Sequence, residues 1–77
     1  MASTGRIVID EKIMHGKAVI RGTRVPVDVI LGGLAGGMTY EEIEKEYGIT
    51  KKDILAAIGY ATEIIAEEKA TPLKMKA

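Results

Sequence analysis

Seventy-seven residues leave room for one small domain, residues 1–77, with an ordered core expected over about 6–70 and flexible ends. Eleven basic side chains balance eleven acidic ones, which argues against an indiscriminate polyanion binder; without cysteine there are no disulfides or thiolate metal sites, and the single histidine, His15, cannot build a zinc site alone. No apolar run reaches the length of a membrane span and no signal-peptide pattern opens the chain, so the expected setting is cytoplasmic, with no membrane partner.

Residues 1–5 are small and polar and read as frayed. Arg6-Ile7-Val8-Ile9 is a short β-branched run, residues 10–16 turn the chain, and Ala18-Val19-Ile20 supplies a second run, so the pair reads as a hairpin. A lone hairpin is marginal in water and must lie on helices or pair with a second copy. Gly22 is free to take a positive φ in the following turn, and Pro26 presets φ for a first helical position. Val27, Ile30, Leu31 and Leu34 then recur at helical spacing until Gly36-Gly37. Gly32 and Gly33 inside this helix each cost on the order of 1 kcal/mol relative to Ala, which close approach of another backbone would explain.

Thr39 and Glu42 form a capping box that starts a second helix, in which Ile43 and Tyr47 face inward and which Gly48 stops. Thr50 caps a third helix, with Asp53 at the box position. Its stripe of Ile54, Ile58, Ala61 and Ile65 runs to about Lys69; Thr71-Pro72 breaks the helix and the tail loosens. Phe and Trp are absent, so the core is aliphatic, with Met14, Met38 and Met75 as gap-fillers or tail. The modest burial available to such a core favours a homodimer, joined through the hairpin or the first helix.

Gly48-Ile49-Thr50 between helices two and three is the short glycine-bearing turn of a helix-turn-helix, with Ile43, Tyr47, Ile49, Ile54 and Ala57 where such a unit needs interior contacts. The third helix would then present Thr50, Lys51, Lys52, Leu55 and Ala56 to DNA. Lys51 and Lys52 suit phosphate contact, and Thr50 suits a phosphate or a base. Two features weigh against it. Glu44 stands where the two helices cross, a position normally filled by a small residue, and Glu41, Glu42, Glu44 and Glu46 would repel phosphates. The same shape also arises from packing alone, and both uses stay open.

Charge is unevenly spread: a net +3 over residues 1–25, −4 over 26–50 and +1 over 51–77. Lys17, Arg21 and Arg24 form the basic segment, a candidate partner-binding loop in which Arg21 and Arg24 suit bidentate bonds to carboxylates or phosphates. The alternative is internal: Arg24, beside Pro26, bonds carbonyls or Asp28 of its own fold. Arg21 is the better partner contact and Arg24 the better structural anchor. His15 reads as an exposed turn residue, and Asp10 and Glu11 as a turn pair. No residues converge as a catalytic set, so neither an enzyme, a metal nor a cofactor is expected.

As a string, GKAVIRGTRVPV, followed by GLAGGMTYEEIEKEYGITKKDILAAIGYA, resembles the domain-of-unknown-function family four-three-three, small prokaryotic proteins similar to VapB-type antitoxins. The resemblance runs from about Arg6 to about Ala61. It implies a mostly α fold, a three-helix homeodomain-like bundle with a short N-terminal β-hairpin. It also implies an antitoxin of a type II toxin–antitoxin pair, binding a PIN-like nuclease toxin and operator DNA. The alternative is an interaction or oligomerisation module that does not bind DNA.

Overall fold

The computed structural model describes residues 5–69. Strands β1 (Ile7–Ile9) and β2 (Ala18–Ile20) pair antiparallel, Ile7 with Ile20, Val8 with Val19 and Ile9 with Ala18. Helices α1 (Val27–Ala35), α2 (Tyr40–Tyr47) and α3 (Lys51–Lys69) follow, giving a mostly helical chain with an N-terminal hairpin. The expected helix break at Thr71-Pro72 and the tail with Met75 lie outside the described residues. The hairpin loop closes through an Asx-type turn, in which the Lys12 amide donates to Asp10 Oδ1 at 2.8 Å, and a 3-10 turn at Met14–Gly16. His15 is exposed there in the left-handed region at φ 57°.

The core is aliphatic, as the composition requires. Ile20, Ile30, Ile43, Ile54 and Val19 are fully buried, two from β2 and one from each helix, and Ile7, Val27, Ile49 and Ala57 close around them. The hairpin is thus covered by helices, which relieves its marginal stability. Both capping boxes form. Thr39 Oγ1 accepts from the Glu42 amide while Glu42 Oε1 accepts from the Thr39 amide, and Thr50 and Asp53 repeat the pattern at α3. Gly48 ends α2 at φ 68°, a conformation that L side chains resist.

Three expectations are corrected. Pro26 is not the first helical residue: it stands just outside α1 with ψ 147°, still extended because it bridges Val19 of the hairpin. Secondly, no neighbouring backbone accounts for the glycine pair. A Cβ on Gly33 would meet Ile43 Cδ1 at 2.7 Å and Met38 Sδ at 3.0 Å, both side chains, whereas one on Gly32 meets nothing within 4 Å. Thirdly, the α3 stripe outruns the core. Ile54 is buried and Ile58 and Ala61 are half-buried, but Ile65 is 54% exposed. A nine-residue α1 extends about 13 Å against about 28 Å for the nineteen residues of α3, so the far end of α3 has too little to pack on.

The two glycines should respond in opposite directions. Gly32→Ala adds helix propensity in open space and should stabilise by about 0.5–1 kcal/mol. Gly33→Leu gains propensity too, yet it overpacks Ile43 and should destabilise by about 1–3 kcal/mol. Thermal unfolding should order the melting temperatures Gly32→Ala, wild type, Gly33→Leu; a Gly33→Leu protein melting above wild type would mean that Ile43 and Met38 yield freely.

Candidate functional site

The site begins at the first turn of α3, where a single carboxylate does two jobs. Asp53 Oδ2 accepts from the Thr50 amide at 3.0 Å, and Asp53 Oδ1 accepts from Arg6 Nη1, just ahead of β1, at 2.9 Å. Only 13% of the Asp53 side chain is exposed, against 47% for Arg6. Burial alone would push the Asp53 carboxyl up. The Thr50 amide, the Arg6 guanidinium and the Thr50 hydroxyl outweigh it and hold the carboxyl below its ordinary value.

Of the five residues expected to face DNA, Thr50, Lys51, Lys52 and Leu55 are exposed on this end of α3, with Leu55 at 48%. Lys51 Nζ lies 5.9 Å from the Tyr40 ring centroid, within cation–π range. Ala56 is the correction: it is buried and belongs to the core. It stands one turn beyond Asp53 among the core residues and is withdrawn from any surface contact. Glu44 is half-buried, and Glu41, Glu42 and Glu46 are exposed along α2.

The basic loop inverts the roles expected for its arginines. Arg21 Nε donates to the Gly5 carbonyl at 2.7 Å and so anchors the fold. Arg24 is exposed and has no hydrogen bond or ion pair among the described residues. Asp28, the carboxylate expected beside Arg24, pairs instead with Lys17 Nζ at 2.9 Å, and that hydrogen bond holds its carboxyl below the ordinary range. Both ends of the Lys17–Asp28 pair are solvent-exposed, where such bridges contribute little to stability.

Beside this pair lies a feature that sequence reasoning missed, an apolar groove of about 290 Å³. Val27 and Leu31 of α1 and Tyr60, Ile64 and Ile65 of α3 line it, with Lys17 and Asp28 at the rim. The available signal was the Ile64-Ile65 doublet so far along a helix with no equally long partner. Among the described residues no three His, Asp or Glu side chains gather to hold a metal ion, and no helix is long and apolar enough to cross a membrane.

Residues 7–61 match the family model described as "Protein of unknown function (DUF433)". An uncharacterized protein of Archaeoglobus fulgidus is 65% identical over 23 residues, which cover 30% of this chain and 64% of that relative. Among solved structures, a DUF433 member protein from Anabaena variabilis is 33% identical with a TM-score of 0.69, over 86% of this chain and 69% of that one. Rv2018 from Mycobacterium tuberculosis is 28% identical with a TM-score of 0.66, over 74% of this chain but 27% of its own. There the fold is one part of a longer protein.

Asp53→Ala removes the cap and the strand tether together, and should lower stability at neutral pH by about 1–2 kcal/mol. The folded carboxyl titrates below its ordinary 3.8, so its contribution is complete above that value and is lost as pH falls through the lower folded value. Urea unfolding from neutral into acid pH should therefore show a flatter acid limb in the variant. An acid limb parallel to that of wild type would exclude Asp53 as the source of the dependence.

Proposed function

The chain belongs to the DUF433 family, whose function is unknown, and we propose that this member is a non-enzymatic antitoxin-type regulator acting as a homodimer. In this reading α2 and α3 form a homeodomain-like helix-turn-helix that binds operator DNA, and the protein also binds a PIN-like nuclease toxin. The observation that carries it is the exposed first turn of α3. Thr50, Lys51, Lys52 and Leu55 face solvent together, on a helix fixed from below by Ile54 and Ala57 and at its start by the Thr50–Asp53 box. A rigid helix end with two cations, a hydroxyl and one apolar side chain suits phosphate contact and apolar contact with base edges. The family resemblance supports the toxin partner, and the small aliphatic core supports the dimer.

A second reading, an interaction module that never touches DNA, is favoured by the groove over Val27, Leu31, Tyr60 and Ile64. An apolar, concave surface of this kind suits a protein partner more than a polyanion. The two readings differ in what Lys51 and Lys52 do.

If α3 faces DNA, Lys51→Ala and Lys52→Ala should each weaken binding to the gene's upstream duplex and reduce the salt slope by about 0.9. Fluorescence anisotropy across a salt series measures both. No binding by wild type at low salt, alone or with the adjacent gene product, leaves the interaction module as the surviving reading. For the dimer, sedimentation equilibrium at micromolar concentration should give a species of twice the chain mass of 8.3 kDa; a single species at the monomer mass refutes it.

A further inference from the structure

Resting on the DNA-binding reading, we infer that Arg6, Arg21 and Arg24 form a second phosphate grip beside α3, one that supplies the backbone contact the acidic α2 cannot make. In a helix-turn-helix the first helix of the pair usually crosses the DNA backbone. Here that helix is α2, and its exposed Glu41, Glu42 and Glu46 oppose phosphate, with Lys45 as its single cation. The compensating charge lies on the other flank of α3.

The geometry that gathers it is local and specific. Ile20 pairs with Ile7 at the end of the hairpin, and the Arg21 amide donates to the Arg6 carbonyl at 2.7 Å, so the two arginines leave adjacent strands at the same end. Arg6 Nη1 reaches Asp53 in the first turn of α3, next to Lys51 and Lys52. The chain then turns back through residues 20–25. The Thr23 amide and hydroxyl both donate to the Ile20 carbonyl, the Val25 amide to Thr23 Oγ1, and the Ile20 amide to the Val25 carbonyl. With Gly22 at φ 81°, this tight turn holds Arg24 out from the same end. Asp10 and Glu11 sit in the loop at the opposite end of the strands.

Each arginine retains donors for a ligand. Arg6 is bonded through Nη1 and Arg21 through Nε, which leaves other guanidinium N–H groups on each, and Arg24 has no partner among the described residues. Guanidinium forks suit phosphate oxygens, and a turn already bonded in place loses little entropy on binding. Protein carboxylates would take the same forks, but Asp53 joins the arginine-bearing end of the hairpin to the α3 turn that carries the exposed Lys51 and Lys52, so cations stand on both elements at this junction. Such an arrangement fits a continuous polyanion better than a single acidic side chain.

The test is fluorescence anisotropy of the full chain on a labelled duplex of about 20 base pairs from the gene's upstream region, and on a scrambled duplex, across a salt series. Arg24→Gln and Arg21→Gln should each weaken both duplexes equally, about three-fold per contact, and reduce the salt slope by about 0.9, while Lys12→Gln in the far loop changes neither. Arg24→Gln breaks no bond within the described residues, so it reports on binding even if Arg21→Gln or Arg6→Gln impairs folding. Wild-type slopes in Arg24→Gln and Arg21→Gln, with Lys51→Ala reduced, overturn this grip and leave the α3 reading standing. An intact slope combined with lost binding to the adjacent gene product assigns the loop to protein and also overturns it. Failure of wild type to bind any duplex at low salt overturns both.

Discussion

The carboxylate of Asp53 is the joint on which the arrangement of this chain depends. Most contacts in the fold connect neighbours along the sequence, but Arg6 and Asp53 are 47 residues apart and meet at 2.9 Å. One oxygen of the carboxylate caps α3 and the other holds the start of the hairpin, so the orientation of the strands is set relative to the first turn of that helix. Asp53 is the more buried partner, so removing Arg6 leaves a largely desolvated carboxylate without its cation. Arg6 is half-exposed, which tempers the converse cost on the cationic side. The same joint brings the cationic end of the hairpin beside Lys51 and Lys52.

A core without Phe or Trp imposes a second constraint. Ile20, Ile30, Ile43 and Ile54 interdigitate from four elements, and small residues let those elements approach: Gly33 leaves room for Ile43, and Ala57 sits fully buried in α3. Isoleucine has stiff side-chain torsions and fits few alternative packings, so a small core of this type is specified sharply even though it buries little area. The limit shows at its edge. Hairpin and α1 together cover only the first half of α3, and Ile64 and Ile65 beyond it remain accessible.

What could be read in the sequence was the chemistry that acts over three or four residues. Both capping boxes, the left-handed Gly48 and the antiparallel hairpin follow from side chains near one another in the chain. Long-range partnerships were not legible in the same way. Arg21 bonds a carbonyl 16 residues away, and Lys17 took the carboxylate 11 residues away that Arg24 had been expected to hold. From composition and spacing the arginines were interchangeable; the direction in which the tight turn after Ile20 aims each one is a property of the fold. Ala56 is similar. Its position on α3 suits a surface role, and only the packing of the fold places it in the core.

These two kinds of constraint divide α3 along its length. Its first turn is held by a cap and a strand tether, so its cations occupy fixed places while their heads remain in water. Its far half presents aliphatic side chains to the groove with α1. β2 runs between the two regions: Ala18 lines the groove, and three residues later Arg21 lies at the cationic end. At about 3.3 Å per residue, that separation is about 10 Å. It is about one Debye length at 0.1 M salt, so at or below that ionic strength a charged partner seated on the groove would alter the potential felt at the arginines, an effect that higher salt screens. A chain of zero net charge can in this way keep an apolar surface and a cationic one side by side, their affinities set by local charge and not by the total.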